Sequence, residues 1–416
     1  MLFEERNYIL KLYDTELIKF TAGVTPFGQL YAKISMVNEE LRHLFPMPLI
    51  PKFTSEALVN WLKSRTIPKN RQFVKEILAQ AGLTVGDTLG IIDVCKGLSV
   101  NDAFWVDREG TEQSFADVNL YEHELDETLA LVAYTGYTSS QHRKLGLSTE
   151  WTTDGQFPKA WRKVDGNLYL YKAGSEGFAN AGMEPYSEYF ACQAAKAMGI
   201  FSVSYDLAKW RGKLASVCPL MCSKDISLVP FYAATEQSQF PINLAICSKF
   251  SGDTFEQMRS MIVFDALICN VDRHAGNYGF LRDNHTGKIL GLAPLFDHNL
   301  SLFARDMKDD FKNWPAKADE HLPRTGMLTF KQQCEMIMGE MQHERLRMLL
   351  GFQFQNHPIY PIPSDRLDAL NQYIHSRTKE LLEIPVIDHR RLISMLHQEL
   401  EQIKSPIPLF FLKNRK

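Results

Sequence analysis

The chain has 416 residues, 45% hydrophobic and 11% aromatic, too many for one ordinary domain and enough to bury a sizeable core, so two or three subdomains are expected. Lys and Arg total 46 against 49 Asp and Glu, a formal net charge of −3. That balance excludes a global field suited to nucleic acid, membrane or a polyacidic partner, and any anion must be bound locally.

The N-terminus, MLFEERNYILKLYD, carries acidic residues where a signal peptide needs a basic start. No apolar run approaches the ~18 residues of a membrane span, so a soluble, cytoplasmic chain is expected. Short β-like runs at 8–13 and 30–34 precede helical patterns at 55–63 and 72–81, an α+β unit assigned to residues 1–135. RTIPKNR (65–71) puts a Pro-containing turn between those helices, and GLSVNDAFWV (97–106) runs from a turn into an aromatic strand. The polar stretch YTGYTSSQHRKLGLSTEWTTDGQ (134–156) interrupts the periodicity and is the candidate boundary.

A second unit is assigned to 136–250. It holds a strand at 167–172 and a helix at 184–198, with Pro185 in its first turn and Gly199 where a C-terminal cap belongs. Strands and turns are expected over 201–250, among them LASVCPLM (214–221) and PINLAICSKF (241–250). Residues 251–416 read as a helical unit, with an apolar helix before Asn270 and amphipathic helices at 328–351, 364–383 and 388–404. The seven cysteines are scattered and lie mostly in apolar runs, as reduced core residues do; Cys218 and Cys222 have no second Cys or His pair at zinc-site spacing.

The chemistry concentrates in NVDRHAGNYGFLRDNHTGKILGLAPLFD (270–297), where two apolar runs bracket many polar groups. Asp272 and Asn277 lie five apart in a loop after a hydrophobic helix, and Asp297 ends a separate apolar run. If loop and strand end converge, two carboxylates and an amide oxygen meet, a hard-oxygen set suited to Mg²⁺ and phosphate. In a kinase-type site Asp272 is then the base, Asn277 and Asp297 are the metal ligands, and His274 is a scaffold or hydrogen-bonding residue. A D-x-x-x-x-N pattern alone is most often just a loop.

The order of the upstream parts carries more weight. A Lys ending a strand ordinarily snorkels at a surface and a Glu in a helix is ordinarily solvated, but Lys172 and Glu188 precede 272, 277 and 297 in the order that kinase-like folds use: phosphate lysine, its orienting glutamate, base and metal ligands. The phosphate-covering loop belongs before the lysine strand, where TTDGQFPK (152–159) lies. Thr152, Thr153, Gly155 and Lys159 are its candidate ATP contacts. It has one glycine where G-x-G-x-x-G has three, and an ordinary surface turn is the other reading.

With these parts in place, the chain resembles the HipA-like serine/threonine kinases, the toxin kinases of bacterial toxin–antitoxin modules. The resemblance rests on ICNVDRHAGNYGF (268–280), APLFDHNLSLF (293–303), YLYK (169–172), EPYSEYFACQAAKAMGI (184–200) and GLSVNDAFWV, and covers most of 95–385. It implies a two-lobed, α+β kinase fold with a mixed α/β N-terminal part and a mostly helical C-terminal lobe. It implies that Lys172 contacts ATP phosphates, that Asp272 is the catalytic base and that Asn277 and Asp297 bind Mg²⁺. Relatives also carry an autophosphorylatable Ser or Thr in the phosphate loop, where this chain has Thr152 and Thr153. Two departures stand out: the glycine-poor loop, and His298-Asn299 where relatives often have Asn-Gly, a turn that an Asn can still make in the left-handed region.

The implied function is an ATP- and Mg²⁺-dependent serine/threonine protein kinase acting on a cytosolic protein, such as a translation component, and restrained by a DNA-binding antitoxin partner. Two alternatives remain open. One is a pseudokinase or regulatory nucleotide-binding module that works by docking; the other is a small-molecule or lipid kinase, against whose lipid form the lack of a basic membrane patch counts. No helix with a basic recognition face stands out, so any DNA contact would come through the partner.

Overall fold

Arg6–Leu12 and Thr15–Val24 bury most of their apolar side chains, among them Tyr8, Leu10, Ile18 and Phe20, and with Leu30–Val37 they form an antiparallel meander. Phe104–Arg108 pairs with the first, giving the spatial order third, second, first, fourth. Register sets Leu10 opposite Ile18 and Val106, and all three are buried on one face. The computed structural model in which these elements are seen describes residues 5–51, 53–138, 144–177, 180–235, 240–250, 253–307, 314–324 and 328–402.

The chain forms two compact units. The first comprises Met1–Lys172, Pro219–Val229 and Leu281–Ile289. In it the helix Ser55–Ser64, capped by the Thr54 hydroxyl, buries Leu58, Trp61 and Leu62 and packs on the strand Leu30–Val37. The helices Val74–Ala79, Thr88–Cys95 and Glu127–Thr135 enclose a second core of Ile67, Ile77, Leu78, Ile91, Leu129 and Val132, into which Trp151 inserts. Directly after Trp151 the chain runs through the 152–159 loop into the hairpin Lys159–Val164 and Asn167–Ala173.

The second unit comprises Ala173–Cys218, Pro230–Phe280 and Leu290–Lys416. Its centre is the helix Thr254–Ile268, buried along almost its whole length, with Phe330–Ile337, Glu340–Arg347 and Ser364–Leu382 packed on it. The helix Glu184–Ala197 and the hairpin of Asp206–Trp210 with Lys213–Pro219 precede it in sequence.

Three elements differ from the sequence expectation. The 241–250 segment, expected as strand, begins with the helix Phe240–Cys247. An apolar run of that length is equally at home in a buried helix, and here it packs on Thr254–Ile268. The helix expected over 328–351 is two helices broken at Met338-Gly339. The Arg259 guanidinium donates to Ile337 O (2.8 Å), and any Cβ at 339 would collide with its Nη2. Thr15–Val24 is a strand that the periodicity did not single out. All seven cysteines are free thiols, and among the described residues no helix is long and apolar enough to cross a membrane.

Candidate active site

The helix Thr254–Ile268 stops because Cys269 takes a left-handed conformation (φ 52°) and turns the chain into the 270–277 loop. Asp265, one turn back inside the apolar run, is buried and holds that loop from below. Its carboxylate accepts from Asn270 Nδ2 (2.9 Å), and the Arg273 guanidinium grips both its oxygens, Nε at 2.9 Å and Nη2 at 3.0 Å. Burial alone would pull the Arg273 pKa down; the carboxylates around it, Asp265 first and then Asp297 and Glu188, together outweigh burial and hold the group above its usual value.

Arg273 has further partners. Its Nη1 donates at 2.6 Å to Asn277 O and at 2.6 Å to Phe296 O, and its Nη2 lies 2.9 Å from His298 Nδ1. One nitrogen therefore fixes the backbones of Asn277 and of the residue before Asp297, so the loop and the strand end of the sequence reading do converge. Asn277 is buried and spends Nδ2 on Asp272 O (3.0 Å), which leaves Oδ1 as its atom for a cation. Asp297 is itself left-handed (φ 56°), a conformation that Asp tolerates better than most residues, with its N–H on Tyr205 Oη (3.1 Å). The turn thus falls on Asp297 and not on Asn299, where the sequence placed it. Asn277 Oδ1 and the Asp297 carboxylate are hard donors of the kind Mg²⁺ takes, so these residues fit that ion.

Glu188, wholly buried on Glu184–Ala197, accepts from the His298 N–H through Oε2 (2.7 Å), and Ser187 Oγ donates to Ser301 O (2.7 Å). The helix thereby pins the segment after Asp297. His274 is half-buried and its Nδ1 accepts from Gly276 N–H (3.0 Å). Asp272 Oδ1 accepts from Arg324 Nη1 at 2.5 Å; the arginine side chain is 60% exposed and the aspartate 20%.

In the first unit, Lys172 lies directly opposite Lys159 in the antiparallel hairpin, so both side chains share a face, and both residues are buried. Two lysines on one face of a hairpin suit a polyanion. Gly155 (φ +97°) lies beneath the Lys159 ammonium, and a Cβ there would collide with Nζ. Thr152 and Thr153 use their hydroxyls inside the loop, donating to Leu98 O (2.7 Å) and Thr149 O (2.8 Å).

Sequence reasoning missed Asp265, Asn270, Arg273, His298 and Arg324. Only Asp265 carried a signal, as a lone charge inside MIVFDALIC.

No protein-family model matches the chain. A curated protein, serine/threonine-protein kinase CtkA of Helicobacter pylori, is 28% identical over 132 residues, a match covering 28% of this chain and 40% of that protein. The chain thus spans less than half the length of this curated relative. The crystal structure of the proinflammatory kinase CtkA aligns with 60% of this chain and 93% of its own, at TM-score 0.44 and 16% identity. HipA of Shewanella oneidensis MR-1, solved with HipB and operator DNA, aligns with 91% of this chain and 100% of its own, at TM-score 0.51 and 12% identity. The chain has the mixed α+β, HipA-like fold that its motifs implied.

Proposed function

We propose that this chain is an ATP- and Mg²⁺-dependent serine/threonine protein kinase. The observation that supports the reading is the single Arg273 nitrogen bonded to both Asn277 O and Phe296 O, which ties the backbone of Asn277, in the loop that carries Asp272, to that of the residue before Asp297. Asn277 and Asp297 would hold Mg²⁺, which when bound neutralises charge on the phosphates. Lys172 and Lys159 bind the phosphates. The acceptor hydroxyl attacks the γ-phosphorus, its proton passes to the Asp272 carboxylate, and the bond to the bridging oxygen breaks to release ADP.

The proposed substrate is a cytosolic protein, with translation components the first class to try. Autophosphorylation at Thr152 or Thr153 is a weaker prospect, since each hydroxyl would first have to give up a backbone carbonyl. An antitoxin-type partner is proposed because HipA was solved with HipB. One observation favours a second reading, a nucleotide-binding module that acts by docking: the loop's single glycine. Incubation with γ-labelled ATP and Mg²⁺, alone and with a cytosolic extract, separates the two. Label on the chain or on an extract protein, reduced about 10²–10⁴-fold by Asp272→Ala while MgATP still binds, is expected of a kinase. Binding without label transfer would favour the docking module.

A further inference from the structure

The segment 150–159 is tied at both ends to one side chain that the proposed function does not use. Arg71, at the end of the RTIPKNR turn, is buried with its side chain fully out of solvent. Its Nη1 donates to Glu150 O (2.6 Å) and Thr153 O (3.2 Å), while Nη2 donates to the Glu150 carboxylate and to Lys159 O (3.1 Å). The next residue adds a backbone bond, Gln72 N–H to Gln156 O (3.1 Å). Glu150, equally buried, uses its other oxygen to accept from Trp161 N–H (3.1 Å), in the strand that carries Lys159.

We infer that Arg71 is a positioning residue for nucleotide binding: its guanidinium, neutralised by Glu150, holds both ends of the loop so that the Lys159 ammonium stands over Gly155 and beside Lys172. The inference rests on the phosphate-loop reading above. A planar fork with several donors in fixed directions can serve three carbonyls and a carboxylate together; an ammonium at the end of a lysine cannot. The arrangement also assigns work to the N-terminal α+β part. In place of the three glycines of a flexible phosphate loop, this chain uses a one-glycine loop that is held from beneath. A buried ion pair serving stability alone would need the Glu150 carboxylate but not the carbonyls of Thr153 and Lys159, which lie on either side of Gly155.

Two variants separate positioning from stability. Arg71→Lys keeps the charge opposite Glu150 and loses the fork. The double variant Arg71→Met with Glu150→Gln removes both charges together, so neither is left buried alone, and keeps an acceptor for Trp161 N–H. The readout is MgATP binding by titration, with kcat and KM for MgATP and with far-UV circular dichroism and urea unfolding as the check on folding. The expected result is cooperative unfolding in both variants, a Kd and KM for MgATP raised about tenfold or more, and kcat changed less than about threefold. Folded variants that bind MgATP within twofold of the parent would overturn the inference and leave the proposed function standing. A parent protein that binds no MgATP would overturn both.

Discussion

Arg273 is a charge taken out of water in a loop where an arginine would ordinarily reach for solvent, and it persists because every acceptor around it is placed: two carboxylate oxygens, two carbonyls and an imidazole nitrogen. Removing one partner of such a pair typically costs about 3–5 kcal/mol, because the other charge is left buried and uncompensated. Arg324 is the opposite case. Its pair with Asp272 is exposed, worth about 0.2–1 kcal/mol, and it occupies the oxygen on which the acceptor proton would land. Arg324→Ala should therefore leave the melting temperature unchanged and raise phosphoryl transfer by no more than about fivefold, measured as initial rates at fixed MgATP; a loss of rate would show that the guanidinium assists the transfer. The convergence of the loop carrying Asp272 and Asn277 with the run that ends at Asp297 was legible in the sequence because polar residues ending apolar runs need a chemical reason. Arg273 was not, because an Arg after an Asp in a loop looks the same on paper whether it faces water or a buried carboxylate.

The elements that the proposed chemistry relies on are short and individually ordinary: a helix closed by a left-handed Cys269, a hairpin with two lysines in register and a loop with one glycine. That glycine is the sharpest test at this scale. In Gly155→Ala the positive φ costs about 1–2 kcal/mol and the new methyl must push the Lys159 ammonium aside. MgATP affinity is expected to fall about tenfold or more, as loss of one charge-assisted hydrogen bond would give, with a small drop in urea midpoint. Unchanged affinity would remove Lys159 from the phosphate contacts. The strands at 167–172 and the helix at 184–198 were legible from β-forming residues and from Pro and Gly at the helix ends. The Phe240–Cys247 helix was not, since a continuous apolar run has no period to read, and the break at Gly339 depends on an arginine 80 residues away in sequence (259 against 339).

Across the whole molecule the chain leaves its first unit after Lys172 and returns to it twice, over Pro219–Val229 and Leu281–Ile289. Which distant segments a unit recruits is decided by packing, and local sequence patterns do not carry it. The buried thiols make a global prediction. Burial pushes Cys95, Cys222 and Cys334 up from 9.0 to about 12. A folded pKa above the unfolded one gives stability that is complete below about pH 9 and is lost as pH rises toward 12, because only the unfolded chain releases those protons. Unfolding free energies from urea titrations should fall over that window by about 1.4 kcal/mol per pH unit for each thiol, and less steeply in Cys334→Ala. The central claim is that Asn277 and Asp297, locked by Arg273, hold the metal while Asp272 serves only the proton. Titration of ATP into the parent, Asp297→Asn and Asp272→Asn, each with and without Mg²⁺, tests it most directly. The expected result is Mg²⁺-dependent affinity in the parent and in Asp272→Asn that is largely abolished in Asp297→Asn; an equal Mg²⁺ dependence in all three would contradict it.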